Sequence, residues 1–589
     1  MNARKSARLA AAVMVVGALT VTTACSSSKS GGGANGAAAA TPTAKVASIA
    51  VGNAADSTGP AVPQAGAKPG GTVNMIDRDD FSHLDPAQVY LNTNAEVSLL
   101  FTRGLTGYKV AADGSQKLVG DLATDTGTTT DGGKSWKFTL KDGVKWQDGT
   151  AITSADVKYS IERTFQSFIK SGPTYLQTWL AGDDYRKAYA GPDAGDLPGV
   201  ATPDAKTIVY TFKDAHPDAN FTFAMTGYGI VPKAHDTKEA YDKKPFSSGP
   251  YQIVEHVTDK SLDLERNPNW DPKTDPIRNA YPDKWHMEFG VQGKDGAQRF
   301  MADNGTDKNA FSFHLTVPAE FVDKVKNDTK LKDRTLNGLT PYVDYYFINN
   351  TRITDPKVRE ALIRAFPHQQ TRQIEGGTSY GDYATTYMSP TVLGYEASDP
   401  FDTLKKPQGD PEAAKKLLAD AGKSGQTIVY AYNNTPTNQK VTEAIRIALE
   451  AAGFKFVPKP LDPKTYYDAI GVVKNEYDLY WGGWGADWPT GYTSLQPVWD
   501  GRAIADGASN YAHVNDPEIN SAIDAAVKIA DQTEQGKAWA KIDQMLQKKA
   551  VSIPDVYQRS LSLYGSNLGG VTFDSMQGLQ YPLNIFVKS

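Results

Sequence analysis

Residues 427–457 read TIVYAYNNTPTNQKVTEAIRIALEAAGFKFV, and residues 477–489 read YDLYWGGWGADWP. Thr427–Tyr432 is short, apolar and rich in β-branched and aromatic residues, which predicts a buried strand. From Asn438 to Ala452 the apolar residues Val441, Ala444, Ile445, Ala448 and Leu449 recur at helical spacing, and Gly453 closes the run. Phe454–Val457 reads as a strand, Pro463–Lys474 as a helix and Tyr477–Trp481 as a strand. Strand, helix, strand, helix, strand at these lengths specifies a parallel sheet with right-handed crossovers. Ligands of such sheets collect beyond the carboxyl ends of the strands, and Gly482–Pro489 begins there.

The residue types in that stretch suit recognition. Gly482, Gly483 and Gly485 permit close backbone approach. Trp481, Trp484 and Trp488 offer large flat faces for variable apolar groups. Asp487, a carboxylate among aromatic rings, is costly unless a cation pairs with it. A plainer account keeps Trp481 and Trp484 in the core and uses Asp487 to cap a turn before Pro489.

Working toward the N-terminus, Val343–Asn349 reads as a strand, and Pro356 and Pro411 open helices. Lys134–Leu140 alternates with Trp136, Phe138 and Leu140 on one face, and Asp142-Gly143 turns the chain. Ser154 is placed to cap a helix carrying Val157, Ile161, Phe165 and Phe168 on one stripe. Further strands are expected at Thr207–Phe212, Tyr251–Glu255 and Ser261–Arg266. Helices are expected near Pro517–Ala530 and Thr533–Ala550. At 589 residues the chain is too long for one simple core, so two or three lobes are expected.

Composition narrows the chemistry. The 62 basic and 67 acidic residues give a net charge of −5, against nucleic-acid binding. A single cysteine excludes intramolecular disulfides and thiolate metal cages. The eight histidines are scattered without metal-ligand spacing, and no phosphate-cradling loop is present, so neither metal nor cofactor is expected. Gly377-Thr378-Ser379-Tyr380-Gly381 matches a hydrolase nucleophile elbow by letter. Such an elbow needs a buried strand before it and a helix after it, and Arg372–Gly376 is polar.

Arg4, Lys5 and Arg8 precede an apolar run of about 16 residues, Leu9 to Ala24, and Cys25 follows. This is the layout of an export signal, shorter than the ~20 residues a membrane-spanning helix needs. An uncleaved anchor is the alternative. Residues 26–69 lack aromatic side chains and are rich in Ser, Gly, Ala, Thr and Pro, which predicts a flexible tether. The N-terminus resembles a bacterial lipoprotein signal with Cys25 as the lipidated residue, although Thr22 stands where that pattern usually has Leu. This implies an extracytoplasmic protein held at the outer face of the cell membrane.

The body resembles the extracellular solute-binding proteins of the oligopeptide, dipeptide and nickel class (family 5), which serve ATP-binding cassette importers. The matching segments run in family order: His83-Leu84-Asp85-Pro86-Ala87, LFTRGL from Leu100, and WKFTLKDGVKWQDGTAITSADVKYSIERTF from Trp136. SSGPYQIVE from Ser247, LERNPNW from Leu264, FINNTRITDPKVREALIRAF from Phe347, DPEAAKKLLADAG from Asp410 and WGGWGADWPTGYTSL from Trp481 complete them. Ala365-Phe366-Pro367-His368 departs from a family pattern that ends in Asp-Arg.

The resemblance implies an α/β, two-lobed, venus-flytrap fold of the periplasmic-binding-protein kind, with an extra subdomain in the first lobe. Residues 1–24 would be the signal peptide and 25–69 the lipid-anchored tether. Lobe one would span 70–104, 231–344 and 561–589, with the insert at 105–230, and lobe two would span 345–560. It further implies that the Gly483–Asp487 loop pairs its backbone with a peptide and that Asp487 binds the peptide's terminal ammonium. Trp481, Trp484 and Trp488 would line side-chain pockets, and the segment around Asn92–Val97, with Asn94, would form the opposing wall. The partners implied are a peptide and the membrane permease of an importer, for a protein expected to be a monomer and no enzyme. An oligosaccharide or a metal chelate is the alternative ligand, and a serine hydrolase built on Ser379 a distant alternative.

Overall fold

The computed structural model describes residues 49–588, an α/β architecture built around two large sheets. Cys25, the export signal and the first part of the expected tether lie outside the described residues. The remainder of that expected tether is folded onto the body. Ile49–Val51 pairs in parallel with Gln116–Gly120, the Asp56 carboxylate binds Lys117 Nζ at 2.8 Å, and Gly120 N donates to Ser57 Oγ at 2.8 Å. Backbone pairing with an open strand edge supplies what the local composition lacks.

The first large sheet has the strand order Ala310–Phe311, Thr72–Ile76, Lys284–Glu288, Ser261–Arg266, Tyr251–Val257. Val73, Met75, Leu262, Leu264, Trp285 and Met287 fill its core, together with Leu568, Leu583 and Ile585 from the C-terminal segment. Residues between Leu105 and Ile230 form a separate core around the antiparallel pair Ser135–Thr139 and Thr207–Thr211 and the helix Ser154–Arg163. That helix is capped by Thr153 rather than Ser154. Asp156 Oδ2 accepts from Thr153 N at 2.8 Å, closing a reciprocal box.

The second large sheet has the order Gly381–Tyr383, Ser552–Leu563, Thr335–Ile348, Leu479–Gly485, Thr427–Asn433, Lys455–Leu461. The last three are parallel to one another, as the alternating pattern requires. Thr335–Ile348 runs antiparallel to both of its neighbours, so the sheet is mixed. Along that strand Val343, Tyr345 and Phe347 face one core, and Tyr346 and Ile348 face another. Apolar residues on both faces mean that helices cover both sides. The helices Pro356–Ala365, Pro411–Asp420 and Pro517–Ala526 each begin with proline behind an aspartate whose carboxylate accepts a first-turn N–H.

Two further expectations change. The helix expected over Pro463–Lys474 is reduced to Tyr466–Ile470. Asp462 Oδ1 binds Lys464 N at 2.8 Å in a turn before it, and Asn475 Nδ2 takes the Ile470 carbonyl after it. The strand expected to stop at Trp481 continues to Gly485, paired residue by residue with Tyr342–Ile348.

Candidate functional site

Asp487 lies two residues beyond the strand Leu479–Gly485, in the wall of a cavity of about 60 Å³. The cavity gathers distant segments: Tyr90 and Asn92, Tyr108, Ala224–Gly227, Pro341 and Tyr342, and Met576 and Gln577. Asp487 Oδ2 accepts from the Tyr90 hydroxyl at 2.9 Å and from the Tyr175 hydroxyl. Among the described residues it has no ion-pair partner. Burial raises its carboxyl above the ordinary carboxylate range, and the hydroxyls of Tyr175 and Tyr90 oppose that rise. The same carboxylate, with desolvation, pushes both phenols upward, so they remain donors. A carboxylate met only by neutral donors still has a charge to satisfy.

Packing gives two of the glycines a cause of their own. A Cβ on Gly482 would lie 2.6 Å from Phe347 Cε2, and one on Gly485 2.8 Å from Tyr342 Cδ1. They make room for the rings of their cross-strand neighbours. A Cβ on Gly483 would meet Asp344 Oδ1 at 3.1 Å. Gly485 also lines the cavity, whereas Gly483 does not. Beyond Tyr480, which pairs with Ala431, the residues Trp481–Gly485 have a strand partner on one side only among the described strands; the Trp481 carbonyl accepts from the Tyr466 hydroxyl at 2.7 Å, and the edge from Gly482 to Gly485 has no second strand beside it.

None of the three tryptophans lines the Asp487 cavity. Trp488 is 1% exposed and sits in the core of the 105–230 segment, its ring centroid 4.6 Å from that of Tyr175. Its Nε1 donates to Asp218 Oδ2 at 2.9 Å, and Thr490 Oγ1 adds a second bond at 3.0 Å. Trp488 therefore joins two parts of the molecule instead of contacting ligand from a pocket wall. Trp484 is partly buried and donates its Nε1 to the Thr493 carbonyl at 2.7 Å, and Trp481 packs between the two cores of the second sheet. The plainer account, core packing, holds for both. Asn94 is 1% exposed and donates to Ser82 Oγ at 2.8 Å, so the opposing wall is made by its neighbours Asn92 and Ala95.

Tyr90, Tyr175 and Tyr342 are the site residues that sequence reasoning missed. Each reaches Asp487 or its cavity from a remote segment, and no local pattern marks them.

Ser379 does not form a nucleophile elbow. The helix His368–Glu375 precedes it and the strand Gly381–Tyr383 follows, the reverse of the required order, and its buried Oγ has no hydrogen-bond partner. His368, at the departure from the family pattern, is buried and binds Asp555 Oδ1 through Nδ1 at 2.8 Å.

The chain is 27% identical over 473 residues to the periplasmic oligopeptide-binding protein OppA of Salmonella typhimurium, covering 77% of this chain and 81% of that one. It is 23% identical to the probable deoxycholate-binding periplasmic protein YgiS of Escherichia coli, covering 87% and 93%. The solved structure of clavulanic acid biosynthesis oligopeptide binding protein 2 superposes with a TM-score of 0.82 at 29% identity, covering 91% of this chain and all of that one. The family described as bacterial extracellular solute-binding proteins, family 5, middle part, matches residues 117–506. The chain thus belongs to the family 5 extracellular solute-binding proteins, with the two-lobed α/β fold that the resemblance implied.

Proposed function

We propose that this protein captures oligopeptides between its two lobes and hands them to the permease of an ATP-binding cassette importer. The observation that carries the reading is Asp487, a partly buried carboxylate in a cavity wall with hydroxyl donors and no cation. A peptide's terminal ammonium supplies the missing charge. The backbone edge at Gly482–Gly485, which has no second strand beside it, supports the rest, because an extended peptide can add there as a strand whose main-chain bonds do not read sequence. Lobe one is assigned to 70–104, 231–344 and 561–589 with its insert at 105–230, and lobe two to 345–560. The N-terminal segment is assigned to export, with a lipid on Cys25 holding a monomeric receptor at the outer face of the membrane.

Calorimetry tests the reading. Losing one partner of a buried ion pair costs about 3–5 kcal/mol. Asp487→Ala is therefore expected to weaken a short peptide by roughly a hundredfold or more, at about 1.4 kcal/mol per decade. N-acetylation of that peptide should do nearly as much damage. Unchanged affinity in both experiments overturns the assignment. The relative named for deoxycholate keeps a second reading, a non-peptide solute. Mass spectrometry of whatever co-purifies with the protein separates the two.

A further inference from the structure

A second cavity, of about 40 Å³, lies against the first, and Ala95, Tyr108, Ala224, Met225, Thr226 and Gln577 line both. Glu96 lines the second one. Its side chain belongs to the helix Asn92–Ser98, is 0% exposed, and receives no hydrogen bond from any N–H or O–H of the described residues at either oxygen. It faces a second carboxyl, Asp574, also in the lining and close enough for the two to share a proton, and burial together with that neighbour raises Glu96 well above the ordinary carboxylate range. Tyr108 contributes a hydroxyl that likewise has no partner. Gln116 donates to Asp574 Oδ1 at 2.7 Å while its own Oε1 remains unpartnered.

The arginines in the lining do not answer these acceptors. Arg103 binds Asp121 at 2.7 Å, and Arg278 binds Asp121 at 2.9 Å and Asp275 at 3.2 Å. Their remaining N–H groups go to Thr274 and to the main-chain carbonyls of Leu99, Thr102 and Asp121. The carboxyl pair shares one proton, and Gln116 adds an unpartnered acceptor, so the guest they fit is a donor-rich cation that takes the proton's place. A water donates two hydrogens, whereas an ammonium offers three and a guanidinium five.

We propose that Glu96 and Asp574 form a second cation site, which takes the ammonium or guanidinium of a lysine or arginine side chain on the bound peptide. The proposal rests on the peptide reading above. With its terminal amine on Asp487, a peptide can direct a long side chain along the shared wall to Glu96. The protein would then favour basic peptides without requiring any contact to their other side chains.

The test is calorimetry of the whole protein with trialanine and with alanine tripeptides carrying arginine, lysine or citrulline at each position in turn. Citrulline keeps the length and hydrogen-bonding shape of arginine without its charge. At one position the basic peptide is expected to bind more tightly than its citrulline counterpart by roughly tenfold or more. Glu96→Gln should remove that difference and leave trialanine within about twofold. Equal affinity for basic and citrulline peptides at every position overturns the second site while leaving peptide binding intact. So does a preference that survives Glu96→Gln. If no peptide binds the unaltered protein, trialanine included, the peptide reading itself fails and this site with it. The comparison of arginine with citrulline in the unaltered protein decides the question even if Glu96→Gln does not fold.

Discussion

Tyr90 and Asp487, 397 residues apart in the chain, are joined by a 2.9 Å hydrogen bond from phenol to carboxylate. Together with Tyr175 it offsets part of the burial that raises the Asp487 carboxyl. Binding of an ammonium requires the ionised form. Affinity for a peptide with a free amine is therefore expected to hold above the raised value and to fall as pH drops through it. Tyr90→Phe removes one lowering influence, so the loss should begin at a higher pH than in the unaltered protein. Asp487→Asn should abolish the dependence, which calorimetry across a pH series reads directly.

Gly482→Ala brings a methyl group to 2.6 Å from the Phe347 ring, which has no exposure into which to retreat. Overpacking of this kind costs about 1–3 kcal/mol. Thermal unfolding should show a clear loss for Gly482→Ala and a smaller one for Gly483→Ala, whose new atom meets Asp344 Oδ1 at 3.1 Å. Equal behaviour of the two variants would remove ring packing as the reason for the glycines.

Arg163 holds Asp85 through two fully buried bonds of 2.8 Å each and a partly buried Asp236 at 2.9 Å. Asp85 also caps the short turn Pro86–Gln88 by accepting from Ala87 N. The Asp-Pro motif near the start of the body and the Arg163 near the end of its long matching stretch are thus two halves of one contact. Arg163→Ala leaves a buried carboxylate without its partner, a loss of about 3–5 kcal/mol. Arg163→Lys, which cannot make the fork, should recover only part of it, as denaturant titration would measure.

Asp344 is 0% exposed on the strand Thr335–Ile348, and burial lifts its carboxyl from 3.8 to about 7. Hydrogen bonds from Tyr380 and Gln558 work in the opposite direction. The folded protein therefore holds a proton that the unfolded chain releases, so stability falls as pH rises from about 4 toward 7. The difference amounts to roughly 4 kcal/mol at neutral pH. Melting temperatures between pH 5 and about 8 should decline, and Asp344→Asn should flatten the decline.

The parallel strands at the edge of the second sheet were legible because each is set by local periodicity and a cap: Thr427–Asn433, the helix Pro436–Ala451 behind Thr435, and Lys455–Leu461. The antiparallel half of that sheet was not. Ser552–Leu563 finds Thr335–Ile348 across some two hundred residues, and nothing near either strand encodes the match. The carboxylate of Asp487 stood out by its charge among rings. Tyr90 and Tyr175 matter only through where the chain brings them, so neither could be singled out. The packing role of Gly482 and Gly485 was not legible, since the rings they accommodate belong to a strand that sequence alone did not place beside them. Trp488 looked like a ligand platform because its destination, Asp218 in another core, is likewise a long-range fact.

The long strands Thr335–Ile348 and Ser552–Leu563 lie side by side, but their pairing breaks between Leu339 and Val343. The skipped residues include Pro341, which has no N–H to give, and Pro341 and Tyr342 stand in the wall of the Asp487 cavity. This break in the ladder is therefore also part of the cavity wall. If the protein works as the proposed receptor, a flexing of these strands at that gap displaces Tyr342 in the same stroke, so that opening and release of cargo need no intervening relay.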